Sequence, residues 1–180
     1  MNAKDCILQR RSVRRFLPKP VARETVQRIV ELARFAPSWK NSQIVRYTVI
    51  DDKDLKDRIG SDCVRGLAFN TKTIHRAAAL AVISYETGHS GRSDDGSLQS
   101  ADAEKWERFD AGIAAQTFCL AARDYEVGTC ILGVVDEAAI HDLLDLPENQ
   151  KVACLVAMGY PEEWKSAPQR RSCEDLLRFR

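Results

Sequence analysis

Stretches whose apolar residues recur every three or four positions alternate along the chain with short runs that are apolar throughout. Met1 to Arg10 predicts a short helix with Ala3, Cys6 and Ile7 on one face. An arginine cluster follows, Arg10-Arg11-Ser12-Val13-Arg14-Arg15, and then Phe16-Leu17-Pro18-Lys19-Pro20, which its prolines hold extended. Val26, Ile29, Val30 and Ala33 stand at helical spacing, and Pro37 closes that helix. Ile44 to Ile50 alternates and carries β-branched residues, the pattern of a strand. Asp54 to Ile59 predicts a short helix, whereas Ser61 to Arg76 shows no decisive period. Ala77 to Ser84 is apolar, short and bounded by polar residues, so it predicts a buried strand.

Residues 88–103 form the one stretch of low hydrophobicity, and a loop of that length is either mobile or a lid over a site. The longest helix is predicted from Glu104 to Glu126. Trp106, Phe109, Ile113, Phe118, Leu120 and Ala121 make it apolar nearly all round its middle, as at the centre of a fold or of a dimer. Gly128 is expected to stop it in a left-handed cap. Thr129 to Val135 then predicts a brief strand pinned by Gly133. Asp136 caps a short helix bearing Ile140, Leu143 and Leu144 that ends before Pro147. Val152 to Met158 is a continuous apolar run, the best candidate for a central strand. The pattern predicts one domain over residues 1–180 with mixed helices and strands, about four strands and about five or six helices.

Composition narrows the function classes. The 180 residues are 44% hydrophobic and 29% charged, as in ordinary globular proteins, and Lys+Arg 27 against Asp+Glu 26 leaves +1. That balance argues against a whole surface built to grip nucleic acid or a membrane. No run approaches the roughly 18 apolar residues of a membrane span, and no apolar segment follows Met1-Asn2-Ala3-Lys4-Asp5-Cys6 as in a secretory signal. The six cysteines are scattered, with no C-x-x-C pair and no histidine at ligand spacing. A reducing cytoplasm is the expected setting, and no metal site is predicted.

Most catalytic constellations fail. There is no G-x-S-x-G elbow, no P-loop and no G-x-G-x-x-G, and His75, His89 and His141 share no motif with a carboxylate or cysteine. Arginine stands out instead, at Arg10, Arg11, Arg14 and Arg15 around Ser12 and again at Arg170-Arg171. Its planar fork of donors suits phosphate oxygens, and a serine hydroxyl adds one more bond; a solvated basic turn has the same composition. Ala36-Pro37-Ser38-Trp39-Lys40-Asn41-Ser42-Gln43 places hydroxyl and amide groups between a helix and a strand, suited to a heterocycle edge or to a plain turn. In Tyr125-Glu126-Val127-Gly128-Thr129-Cys130-Ile131-Leu132-Gly133, two glycines allow close backbone approach or simply punctuate the chain.

Together and in this order, these pieces resemble the nitroreductase family of FMN-dependent oxidoreductases. R-R-S-V-R-R-F is similar to that family's R-x-S-x-[RK]-x-F signature, and A-P-S-W-K-N-S-Q to its A-P-S-x-x-N-x-Q segment. Asp110 to Gln116, running on to Gly128-Thr129-Cys130-Ile131-Leu132-Gly133, resembles its central helix and the G-x-C-x-x-G turn after it. Gly159-Tyr160-Pro161 and Arg170-Arg171 match its closing strand and tail. The resemblance implies an α+β nitroreductase-like fold, a mostly antiparallel central sheet flanked by helices, in an intertwined homodimer. It implies that Arg10, Ser12 and Arg14, with Arg11, hold the FMN phosphate and ribityl chain, and that Arg170 closes on the phosphate. Pro37, Ser38, Asn41 and Gln43 reach the cofactor from the partner subunit, and the backbone at Leu132 and Gly133 bonds the flavin. Asn70 or Lys72 faces the pyrimidine edge.

The implied activity takes hydride from NADH or NADPH and reduces a small planar acceptor, a nitroaromatic or quinone, in two alternating half-reactions. The cofactor carries the electron chemistry, so no catalytic acid or base is required. Trp39 stacks on a substrate or packs at the dimer interface, and Cys130 packs beside the flavin. Two departures from the family pattern stand out: Gln43 is followed by Ile44 where the family commonly has proline, and the excursion that shapes the substrate pocket is reduced to residues 86–105. The rivals are a specialised flavin relative, such as a reductive dehalogenase or a flavin-consuming enzyme, and an anion or nucleic-acid binding module using Arg10–Arg15. A phosphorylated Ser12 flanked by arginines is a third.

Overall fold

A computed structural model describes residues 1–180. Four strands, β1 (Val45–Ile50), β2 (Ala79–Glu86), β3 (Gly128–Leu132) and β4 (Gln150–Gly159), form one sheet in the order β1-β2-β4-β3, every neighbour antiparallel. The helices are α1 (Ala3–Gln9), α2 (Arg23–Ala33), α3 (Lys53–Asp62), α4 (Ala68–Arg76), α5 (Ala103–Asp124), α6 (Glu137–Leu143) and α7 (Cys173–Leu176), with one 3-10 turn at Trp39–Asn41. The sequence pattern undercounts them because α4 and α7 lack an apolar stripe.

The two inner strands are apolar on both faces because helices cover both faces. Leu80, Val82, Leu155 and Ala157 face a core that also holds Ile59 of α3, Ile74 of α4 and Ile140 of α6. Ala79, Ala81, Ile83, Cys154, Val156 and Met158 face the opposite core, with Ile29 and Ala33 of α2 and Phe118, Cys119 and Ala122 of α5. Tyr47 of β1 stacks on Phe118 with ring centroids 5.5 Å apart. No helix is long and apolar enough to cross a membrane.

Helix α5 is 22 residues long, about 33 Å. Alanines at 111, 114, 115, 121 and 122 let it lie close against the chain's own core. Its opposite flank is uncovered, with Phe109 57% and Trp106 36% exposed, so the all-round apolar pattern is only half used within one chain. In α1 only Cys6 turns inward, and Ile7 is 60% exposed, because this short helix touches the chain's own α5 along one edge.

The end of α5 differs from the expected glycine cap. Glu126 takes the left-handed conformation, with φ 58°, while Gly128 is already the first residue of β3. Gly133 likewise pins nothing by crowding, since a Cβ there meets no atom within 4 Å. Asp136 caps α6 as expected, its carboxylate accepting from the Ala139 N–H at 3.1 Å.

Candidate active site

The arginine-bearing segment is laid between two strand ends. Ser12 bridges Thr129 of β3 in parallel, the Val13 N–H donating to the Thr129 carbonyl at 2.9 Å, and Phe16 bridges Pro161 just after β4. The Leu17 N–H donates to the Tyr160 carbonyl at 2.8 Å. Val13 and Phe16, each 5% exposed, turn into the core and leave the residues between and before them facing outward.

That arrangement lines a cleft of about 510 Å³ with Arg11, Ser12, Arg14 and Arg15 on one wall. Phe69, Lys72, Thr73 and Arg76 form the other wall; their three- and four-residue spacing places them on one face of α4. Glu163 and Lys165 complete the lining, so six cations face a single carboxylate. The Arg14 guanidinium lies 5.4 Å from the Phe69 ring centroid. Arg11 is tied by its Nη1 to the carbonyls of Leu8, at 2.8 Å, and Arg10, at 2.7 Å. Its Nε is buried without a partner, an unsatisfied donor in a positively charged wall. Burial pushes the Cys130 thiol up, while the charges of Arg14 and then Arg10 act against that rise. Both arginines are therefore close enough to β3 to be felt there.

The other predicted group assembles elsewhere. Pro37, Ser38 and Gln43 line a cavity of about 230 Å³ with Asp110 and Ala114 of α5. The Ser38 Oγ accepts from the Gln43 N–H at 3.0 Å, folding the segment on itself, and Asn41 is on its exposed side. This segment is bonded to α5 at Asp110, whereas the residue preceding the arginine cluster, Gln9, is bonded to α5 at Arg123. Those two points lie about 20 Å apart along the helix axis. One chain thus gathers Arg11, Ser12 and Arg14, and separately gathers Pro37, Ser38 and Gln43, without joining the groups. Arg170 stands on the exposed tail, its Nη1 reaching only the Pro168 carbonyl at 3.4 Å. Leu132 is buried at the end of β3 and Gly133 is exposed just beyond it.

Sequence reasoning named Arg15 only as part of the basic cluster and missed Phe69, Thr73, Arg76 and Lys165. The signal was the face of α4 with Lys72 and Arg76 four positions apart, obscured because its inward residues include Asn70 and Thr73. Of the two candidates at the pyrimidine edge, Lys72 lines the cleft. Asn70 is buried, its Nδ2 donating to the Val134 carbonyl at 3.3 Å and tying α4 to the segment after β3.

The Nitroreductase family model matches residues 7–160. Among curated relatives, the chain is 27% identical over 166 residues to the NADPH-flavin oxidoreductase of Vibrio harveyi, covering 90% of this chain and 67% of that one. It is 28% identical over 183 residues to the 5,6-dimethylbenzimidazole synthase of Rhodospirillum rubrum, covering 92% and 85%. A Desulfovibrio desulfuricans structure solved in complex with FMN superposes with a TM-score of 0.78 at 26% identity, covering 98% of this chain and 95% of that one. The family match takes in the arginine segment, the Ser38–Gln43 segment, α4, α5 and all four strands, and the chain belongs to the nitroreductase family.

Proposed function

We propose that this protein is an FMN-dependent NAD(P)H oxidoreductase of nitroreductase type, working as a cytoplasmic homodimer of one-domain subunits on small planar electron acceptors. The observation that carries the reading is the cleft beside β3, which six cations and Ser12 line and in whose wall the Arg11 Nε is buried without a partner. A phosphate dianion is the ligand that such a donor set fits, because each oxygen accepts several charge-assisted hydrogen bonds. Arg10, Arg11, Ser12 and Arg14 would hold the phosphate and ribityl chain. Lys72 would face the ring, its ammonium offsetting negative charge there, and the backbone at Leu132 and Gly133 would meet the ring edge. When bound, FMN supplies the capacity to take a hydride from NAD(P)H and pass reducing equivalents to the acceptor.

The residues of this chain bind and orient. The cations hold the anionic end, Arg14 and Phe69 fix the wall, and Gly128 allows the arginine segment to approach β3. The separation of the two residue groups along α5 supports the dimer. Pro37, Ser38, Asn41 and Gln43 of one subunit would complete the arginine cleft of the other, and the uncovered flank of α5 supplies apolar surface for the contact. Arg170, on the exposed tail, would close on the phosphate in that assembly. The likenesses to the V. harveyi flavin oxidoreductase and to the FMN-bound structure support the choice of cofactor and donor.

The test is the visible spectrum of the freshly purified protein, before and after anaerobic addition of NADH or NADPH. Flavin absorption that bleaches with either nucleotide is expected. A protein that stays colourless after incubation with FMN overturns the reading and leaves the arginine cleft to another anion.

A further inference from the structure

Three non-glycine residues in a stretch of four have left-handed backbones: Lys40 at φ 45°, Asn41 at φ 58° and Gln43 at φ 50°. Each costs free energy, and a run of them persists only where surrounding bonds over-determine it. The bonds here converge on one side chain. Asp110, 2% exposed, accepts the Trp39 N–H on both carboxylate oxygens, at 3.2 and 3.1 Å, and accepts the Ser90 hydroxyl at 2.6 Å. Ser90 is fully buried, and its Oγ also lies 2.9 Å from Ser42 Oγ. One carboxylate thus grips the strained segment at Trp39, directly, and at Ser42, through Ser90.

Ser90 belongs to the stem of the 88–103 loop, which is not the slack connection its composition suggests. Glu107, three positions before Asp110 on α5 and 4% exposed, accepts the Gly88 N–H at 2.7 Å. Gly91 has φ 76°, and a Cβ there would stand 2.6 Å from Ala103 Cα. The Trp39 indole N–H donates to the Arg92 carbonyl at 3.2 Å. The stem is thus fixed to α5 and to the Trp39 segment, while the tip, from Arg92 to Leu98, turns back on itself in an exposed bridge. Burying two carboxylates is costly unless they are hydrogen-bonded, and here both oxygens of Asp110 and one of Glu107 accept from backbone N–H or hydroxyl donors.

We propose that Asp110 is a positioning residue. It fixes the left-handed Trp39–Gln43 backbone and, through Ser90, locks that segment to the loop stem, so that Ser38, Asn41 and Gln43 are held in place before a ligand arrives. The cofactor-facing role of those three residues rests on the FMN reading; the latch itself does not.

The experiment compares wild type with D110A, D110N, S90A and E107A by two readouts. Amide hydrogen exchange of the apoprotein reports the latch, and fluorescence titration with FMN reports its consequence. D110A is expected to speed exchange at residues 39–43 about tenfold or more and to weaken FMN binding by a similar factor. D110N keeps a carbonyl for the Trp39 N–H and an amide N–H for Ser90 Oγ, and is expected to restore most of both. E107A is expected to speed exchange at Gly88 alone and leave FMN affinity within about twofold. Should D110A fail to fold, S90A decides, by faster exchange at residues 39–43. A folded D110A whose Trp39 amide exchanges at the wild-type rate overturns the latch, as does a folded S90A with unchanged exchange where D110A does not fold. Equal weakening of FMN binding by D110A and E107A overturns the positioning role. A wild type that takes no FMN defeats the cofactor reading, and the exchange data then judge the latch alone.

Discussion

Gly128 and Val13 touch where no side chain fits between them: a Cβ at position 128 would stand 2.7 Å from Val13 Cγ2 and 2.9 Å from Val13 Cβ. Val13 cannot retreat, because its own N–H is bonded to the Thr129 carbonyl at 2.9 Å and its side chain is in the core. The glycine therefore sets how closely the arginine segment lies on β3. Gly128→Ala is expected to destabilise the fold by about 1–3 kcal/mol through overpacking, and to weaken FMN binding as Ser12 and Arg11 are pushed outward. Val13→Ala, added to it, gives back part of both losses. Thermal melting and FMN titration of the two single variants and the double variant measure that coupling. Strict additivity would mean that the two residues do not meet.

Charge in the arginine cleft predicts how the cofactor is held. Arg14 is expected to contribute a charge-assisted bond, so Arg14→Ala raises the FMN dissociation constant about tenfold to a hundredfold. Lys72→Ala is expected to have a smaller effect, because on this reading Lys72 faces the ring rather than the phosphate dianion. Binding weakens with ionic strength in the wild type, and less steeply once Arg14 is gone. Riboflavin, which lacks the phosphate, separates the two roles: Arg14→Ala leaves its affinity nearly unchanged, whereas Lys72→Ala does not. Fluorescence titrations with both ligands at low and high salt read out these expectations.

The residues explain which parts of this were legible in advance. Val152 to Met158 declared itself a central strand because both its faces are covered, and no polar alternation interrupts it. R-R-S-V-R-R-F carried both chemistry and structure, since Val13 and Phe16 in the core force the intervening arginines outward. Helix α4 was hidden for the opposite reason. Its buried residues are Asn70, Thr73 and Ile74 while Phe69 is 58% exposed, an inversion that suits a wall of a polar cleft and defeats a search for apolar stripes. Gly128 looked like a cap because glycine usually takes the left-handed position, but Glu126 took it, and the glycine served a close contact two residues later. The Asp110 grip was invisible because its bonds join residues 71 and 20 positions apart.

Cysteine reactivity follows from burial. All six thiols are free; Cys6, Cys63, Cys119, Cys130 and Cys154 are buried and Cys173 is exposed. Burial pushes the Cys154 thiol up to about 12 and raises Cys63, Cys119 and Cys130 as well, so none of these supplies thiolate near neutral pH. A chromogenic disulfide reagent is expected to modify one thiol quickly in the native protein, and six after denaturation. Cys173→Ser removes the fast phase. A second fast thiol would mean that a core cysteine is exposed in solution.

Lys56 predicts an acid-sensitive link between α3 and the cleft. Its side chain is 3% exposed, and its ammonium donates to the Ile74 carbonyl at 2.9 Å and the His75 carbonyl at 3.3 Å, closing the C-terminal end of α4. Asp57 is its counter-ion at 2.5 Å and also accepts from Lys53 at 2.6 Å. Burial alone would push the Asp57 carboxyl up, but the Lys53 and Lys56 ammonium groups outweigh it and hold it below its ordinary value of 3.8. A carboxyl depressed in the folded state adds stability that is complete above that ordinary value and lost as pH falls through the lower, folded one. Asp57→Asn is therefore expected to lower the melting temperature at neutral pH, with the gap to wild type closing below about pH 4. Lys56→Met, which keeps the length but takes the ammonium from the Ile74 carbonyl, still bonded by the Ala77 N–H, and from the His75 carbonyl, is expected to cost about 1–3 kcal/mol at neutral pH. It should also loosen the wall that carries Lys72 and Arg76. Melting curves across acid and neutral pH test the pair, and a gap for Asp57→Asn that persists unchanged at low pH would show that the carboxylate charge contributes nothing there.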